Sequence, residues 1–142
     1  MKRPEKDNIA RIHGEWGEDL ATEFLRREGY EIIERNSHPV EKDRRLDIDI
    51  VAYDRKNDAI VFVEVKQHSF HSPFEKRLRS IDVRKKRNLL RAFNAWRCCN
   101  AWRGNFRFDV VEVYGRPGGK GEVDHIPHVN IFQRPDRFVR WD

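Results

Sequence analysis

Cysteine is almost missing from this chain. There are only two, the neighbours Cys98 and Cys99, and adjacent helical residues point in different directions and cannot form an ordinary bridge. A disulfide framework is excluded, and with it the main sign of an oxidising compartment. Long apolar runs are missing as well. No stretch approaches a membrane span, and the charged segment from Met1 to Arg11 holds no apolar run of signal-peptide length, so the expectation is a cytoplasmic chain with no membrane partner. There is no glycine-rich phosphate loop, dinucleotide fingerprint or serine, histidine and acid set. The pairs His68 with His71 and His125 with His128 have no cysteine pair beside them, so zinc is not expected there.

Charge, by contrast, is abundant. Charged residues make up 37% of the chain against 38% apolar, a composition poor in apolar groups for a globular core but far richer than a disordered chain. The 142 residues suit one domain, with a core over about 9–132 and short basic tails at either end. The net charge of +5 favours polyanions, because neutralising phosphates releases condensed counterions, although a solvated surface accounts for the charge equally well.

The apolar pattern orders the chain. Ile12, Trp16, Leu20 and Phe24 recur every four residues, with Ala21 and Leu25 widening the stripe, which predicts a helix from Ile12 that Gly29 stops. Tyr30 to Arg35 reads as a strand, and Asn36 to Arg45, containing Pro39, as a loop. Two strong strands follow, Leu46 to Asp54 and Ala59 to Gln67, joined by turn-prone residues of hairpin length. If Asp54 faces Ala59, then Val51 faces Phe62, Asp49 faces Glu64 and Asp47 faces Lys66. The other face, Ile48, Ile50, Ala52, Val61, Val63 and Val65, is wholly apolar and must lie against a core. His68 to Arg79 reads as a loop. Ser80 can cap a second helix with a stripe through Ile81, Leu89, Phe93 and Trp96, with Ala92 and Cys99 beside it and Lys85 on the same stripe. Phe106 to Tyr114 is a further strand, Gly115 to Gly121 a turn, and Val123 to Phe132 a last irregular strand interrupted by Pro127.

Asp49 opposite Glu64 sets two like charges against each other, which is destabilising unless a positive group lies between them. A divalent cation is the simplest such group, and hard oxygen ligands suit Mg²⁺ or Mn²⁺. Lys66, two residues beyond Glu64 on the same face, could orient or deprotonate an attacking water or stabilise charge developing on a phosphate. The set suits phosphodiester hydrolysis. A surface hairpin with cross-strand ion pairs such as Asp47 with Lys66 fits the spacing equally well.

Asp49 followed by Glu64-Val65-Lys66 at the close of an apolar strand resembles the signature of the PD-(D/E)XK nuclease superfamily. Over nearly the whole chain the sequence is similar to the YraN family of predicted endonucleases, relatives in fold of the archaeal Holliday junction resolvases. The matching pieces occur in order: Gly17-Glu18 with Ala21, Phe24 and Leu25; Gly29-Tyr30; Ile48-Asp49 with Ala52; Val61 to Lys66; Ser72-Pro73; Lys85 before an apolar helix; Arg107 to Val111; and His125 to Val129. The resemblance implies an α/β, restriction-endonuclease-like core, a central mixed β-sheet flanked by α-helices. It implies that Asp49, Glu64 and the main-chain carbonyl of Val65 bind the metal, that Lys66 positions the water, and that Glu18 approaches from the first helix. At one point the chain departs from the family, carrying Leu46-Asp47 where the family has Gly-Glu before Ile-Asp, which makes Asp47 an auxiliary acid of shorter reach.

Lys76, Arg77, Arg79, Arg84, Lys85, Lys86, Arg87 and Arg91 concentrate after the proposed active strand and could track phosphates, while a charge run of this kind is usually a solvated helix face. Arg84, Lys85, Lys86 and Arg87, with Gln67 and His68 beyond Lys66, are the candidate nucleic-acid contacts. Phe93 and Trp96 belong to the core. For Trp102 and Trp141 packing ranks first, with base stacking and a homodimer contact left open. The functional expectation is a Mg²⁺- or Mn²⁺-dependent endonuclease acting on DNA, with branched or damaged DNA as candidate forms. The alternative is a DNA-binding adaptor that keeps the fold and cuts poorly or not at all.

Overall fold

Period-two and period-3.6 apolar patterns alternate along the chain, and the computed structural model, which describes residues 3–70 and 83–131, folds them into one mixed sheet between two helices. The elements are α1 (Arg3–Arg27), β1 (Glu31–Ser37), β2 (Ile48–Asp54), β3 (Ala59–His68), α2 (Val83–Cys99), β4 (Asn105–Tyr114) and β5 (Glu122–Ile126). The strand order is β1-β2-β3-β4-β5. β3 and β4 are parallel, as the intervening α2 permits, and every other neighbouring pair is antiparallel. The expected α/β architecture with a flanked mixed sheet is therefore present.

Both faces of the sheet are covered. On one, Ala21 and Leu25 of α1 bury Ile50, Ala52, Val61, Val63, Val111 and Val113. On the other, Leu89, Ala92, Phe93 and Trp96 of α2 bury Leu46, Ile48, Val51, Phe62, Phe108 and Val110. Phe62 anchors the second layer: its ring stacks on Phe93 at 4.4 Å and meets Trp96 edge-on at 5.6 Å. Truncating such a ring costs about 3–5 kcal/mol, because the cavity adds to the lost transfer energy. Trp96 also donates its indole N–H to Glu34 at 2.9 Å, tying α2 to β1.

The hairpin register is as expected from Asp54↔Ala59 through Val51↔Phe62 to Ile50↔Val63, where β2–β3 pairing stops. Ile48, expected on the face of Ile50, lies instead in the α2 layer. Alternation is broken where the ladder opens. Other bounds shift by a few residues. α1 begins at Arg3 rather than near Ile12, with Glu5 in its first turn complementing the helix dipole, although Glu5 to Ile12 are exposed and bury no apolar stripe. It ends at Arg27, just before Gly29, whose φ of 95° lets the N–H of Tyr30 close onto the Leu25 carbonyl at 3.0 Å. β3 continues to His68 because its parallel pairing with β4 runs on to Tyr114. The expected cap at Ser80, the loop from His71 to Arg79 and Trp141 lie outside the described residues. Trp102 packs on Tyr53, as ranked first for it. Among the described residues no helix is long and apolar enough to cross a membrane.

At one end of the α1 face, an ion network locks the corner. Arg107 bonds Asp54 at 2.7 Å, Asp109 at 2.9 Å and the Tyr30 hydroxyl at 2.8 Å. Asp109, fully buried, also meets His125 Nε2 at 2.8 Å and accepts the His128 N–H at 3.1 Å. Burial works against the Asp54 charge, but hydrogen bonds from Arg107 and Asn57 hold its carboxyl at about 2, below the ordinary 3.8. A carboxylate with a depressed pKa stabilises the fold fully above its unfolded value, and that stability is lost as pH falls through the folded one. Asp54→Asn should therefore cost about 1–3 kcal/mol at neutral pH. Its penalty relative to the parent should shrink between pH 4 and pH 2. Urea melts across that range check this, and a pH-independent difference would refute it.

Candidate functional site

The opening of the β2–β3 ladder leaves the Val65 N–H without a strand partner, and Asp49 fills the vacancy: its Oδ2 accepts that N–H at 2.8 Å. Asp49 and Glu64 are therefore brought together at the fork, though not as the paired residues a continuous ladder would make them. An extended residue sends its N–H and C=O to the same edge of a strand. The Val65 carbonyl thus faces the same gap as the Asp49 carboxylate.

Glu18 reaches this region from α1, which approaches β3 closely at Gly17. A Cβ at Gly17 would lie 3.1 Å from Gln67 Cβ, so a larger residue would crowd the Gln67 side chain. Glu18 Oε1 is buried with no hydrogen-bond partner. Burial raises the Glu18 pKa, partly offset by Arg35. Burial also pushes Asp49 up to about 8, aided by the nearby charge of Glu64, with smaller contributions from Glu18 and Asp47 and partial relief from the Val65 N–H. The charges of four acids therefore act on one another here, and burial makes two of them, Asp49 and Glu18, resist ionising.

Such a group fits a divalent cation. The orphaned Glu18 oxygen and the strained Asp49 ionisation both call for positive charge, and Asp49, Glu64 and the Val65 carbonyl supply hard oxygen donors. Among the described residues no three His, Cys, Asp or Glu side chains form a ready-made metal cage. An ion at this position would have to take its remaining ligands from water and substrate oxygens.

Lys66 Nζ lies 3.7 Å from Glu64 Oε1 and is more than a third exposed. Lys85 Nζ, from α2, lies 3.3 Å from the same oxygen. Burial opposes the Lys85 charge, but Glu64, with Asp47 and Asp49 beyond it, holds its pKa above the usual lysine value. Asp47 thus contributes to the field through its charge. The other basic candidates divide: Arg84 and Arg87 are exposed, whereas Lys86 is buried with an Nζ that has no hydrogen-bond partner, and so is not on the solvated face. Gln67 points toward α1, its amide donating to the Gly115 carbonyl at 2.6 Å. His68 stays near the centre, bonded to Glu112 at 3.3 Å and stacked on Tyr114 at 5.0 Å.

Glu112 was not singled out from the sequence, and Arg107 and Asp109 entered only as part of the matching strand Arg107 to Val111, with no role given to them. Glu112 is 1% exposed and pairs in register with Lys66, which sets it on the same face. The available signal was a charged residue within an otherwise apolar run, Val110-Val111-Glu112-Val113, since buried acids are rare unless bonded. A cleft of about 590 Å³ lies at the other end of the sheet, lined by Phe24, Tyr30, Asp54 and His125 among others. Its Asp54 and His125 are already engaged in the Arg107–Asp109 network, whereas the unpartnered Glu18 oxygen lies toward the fork.

Residues 17–113 match the Uncharacterised protein family UPF0102. A UPF0102 protein of Syntrophomonas wolfei is 37% identical over 84% of this chain and 96% of its own length. Another from Acetivibrio thermocellus is 39% identical over 89% of this chain and 92% of its own, and one from Pelobacter propionicus 33% identical over 92% and 86%.

Without metal, an acid whose pKa is raised on folding binds an extra proton in the folded state, so its contribution weakens as pH climbs from the unfolded value to the folded one. For Asp49 that window runs from 3.8 to about 8. Asparagine keeps an acceptor for the Val65 N–H and removes the charge. In EDTA, Asp49→Asn should match the parent near pH 4 and exceed it at pH 8 by on the order of 1 kcal/mol or more. Thermal melts at the two pH values decide the matter, and a variant less stable than the parent at pH 8 would contradict this account.

Proposed function

Given that this chain belongs to the UPF0102 family, we propose that it is a metal-dependent endonuclease that hydrolyses phosphodiester bonds in DNA, branched or damaged forms included. The observation that carries the reading is the Asp49 carboxyl at the strand fork, bonded to the Val65 N–H and set among Glu64, Glu18 and Asp47. Mg²⁺ or Mn²⁺, held by Asp49, Glu64 and the Val65 carbonyl, would supply a Lewis acid for the phosphate and an acidified water.

The chain's own groups do the rest. Asp49 is fixed by its main-chain hydrogen bond, so its free oxygen needs no reorganisation to serve as a ligand. Lys66, next to Glu64 yet open to solvent, orients the attacking water and steadies charge on the phosphate. Glu18 adds an acceptor from the helix side. Arg84 and Arg87 on the exposed side of α2 and His68 beyond Lys66 contact the DNA backbone, a role that the net charge of +5 favours. One observation favours the second reading, a DNA-binding adaptor that cuts poorly: Leu46, standing where the resembled family has glycine, is buried in the α2 layer beside the acids.

The test is cutting of plasmid and four-way-junction DNA in Mg²⁺ and Mn²⁺. Asp49→Asn and Glu64→Gln should each lower the rate by about 10²–10³-fold. Cutting that survives both substitutions would remove these residues from the mechanism. Salt-sensitive DNA binding with no cutting of any form would establish the adaptor instead.

A further inference from the structure

Glu64 is approached by two ammonium groups, and they arrive from different elements. Lys66 comes with the strand itself. Lys85 arrives on α2, and the packing of that helix dictates its position. It lies four residues before Leu89 and eight before Phe93, on the stripe that α2 buries. Phe93 stacks on Phe62, two residues before Glu64 on β3. α2 runs back along the strand, so its earlier turns lie progressively nearer the fork, and burying Leu89 and Phe93 delivers position 85 to Glu64. The result is the 3.3 Å contact to Oε1, the oxygen that Lys66 approaches at 3.7 Å.

We propose that Lys85 is the resident counter-cation of the carboxylate centre: its ammonium holds Glu64 until a divalent cation takes that carboxylate, and then passes to a non-bridging oxygen of a bound phosphodiester. The phosphodiester half rests on the nuclease reading; the exchange of cations does not. Ammonium and metal compete for one oxygen, so Lys85 weakens metal binding and strengthens DNA binding. A residue that only supported the fold would shift both affinities in the same direction.

Lys85→Met retains the aliphatic stem and removes the charge. Calorimetry with Mn²⁺ and no DNA should show about fivefold tighter uptake by this variant, the size expected for losing a half-exposed ion pair. Lys85→Arg, which keeps the charge, should remain within about twofold of the parent. Binding of four-way-junction DNA in Ca²⁺ should weaken about threefold or more for the methionine variant and recover in the arginine variant. Unchanged or weaker Mn²⁺ uptake by Lys85→Met overturns the exchange, whether or not the parent cuts DNA. Tighter Mn²⁺ uptake with unchanged DNA affinity overturns the transfer to phosphate. Should the parent take up Mn²⁺ and cut nothing while Lys85→Met binds the ion more tightly, the nuclease reading fails and the exchange stands. No uptake by either protein overturns both.

Discussion

The arrangement of the whole site depends on one hydrogen bond, from the Val65 N–H to the Asp49 carboxylate. It exists because β2 and β3 stop pairing after Ile50↔Val63. A continuous ladder would have given that N–H a carbonyl partner and left Asp49 to stand off one face of the sheet. With the ladder open, a buried donor needs an acceptor and a carboxylate takes the role. The same bond draws Asp49 into the plane between strands, where acids from both sides bear on it: Glu64 on the α2 side and Glu18 from α1. A stretch of main chain that lacks a partner thereby becomes the anchor of a charged centre.

The rest of the fold holds the two helices at a fixed distance from that fork. α1 is set by Ala21 and Leu25 against the valine and isoleucine face, and by Gly17, whose missing side chain allows close contact with Gln67. α2 is set by the stacked rings of Phe93 and Phe62 and by the Trp96 hydrogen bond to Glu34. Each helix carries a charged residue toward the fork at the margin of its buried stripe, Glu18 on α1 and Lys85 on α2. Packing that buries the stripes therefore also delivers an acid from one side and a base from the other.

Much of this was legible in the residues, and the limits have physical causes. Alternation along Ile50 to Asp54 and Ala59 to Val63 fixed the register, because a one-residue slip would move every side chain of one strand to the opposite face. The stripe of Leu89, Phe93 and Trp96 placed Lys85 on the inward side of its helix. The ladder's end was not legible, since it depends on tertiary divergence of two strands rather than on local pattern, and Ile48 was assigned to the wrong layer for that reason. Lys86 defeated the composition argument: a lysine in a basic run is usually solvated, yet this one is buried by packing that the run does not encode. Arg107, Asp109 and Glu112 lie on a central strand where charged residues have meaning only once their partners, distant in sequence, are known.

Two clusters of charge mark opposite ends of the sheet, and their difference separates structure from chemistry. Asp54, Arg107, Asp109 and His125 are bonded to one another, and the depressed pKa values of Asp54 and Asp109 reflect carboxylates that are stable as anions in their present surroundings. Such a network ties β2, β4 and β5 to the start of β1 and asks for nothing further. At the fork the signs are reversed. Asp49 and Glu18 have raised pKa values, one Glu18 oxygen has no partner, and one oxygen of Glu64 is approached by two lysines. A buried polar group that its own protein does not satisfy costs stability, and a cluster of acids with perturbed pKa values is a mark of functional sites. The fold thus keeps an electrostatically unsatisfied site at the fork, and the raised Asp49 pKa is the feature that the proposed divalent cation would relieve.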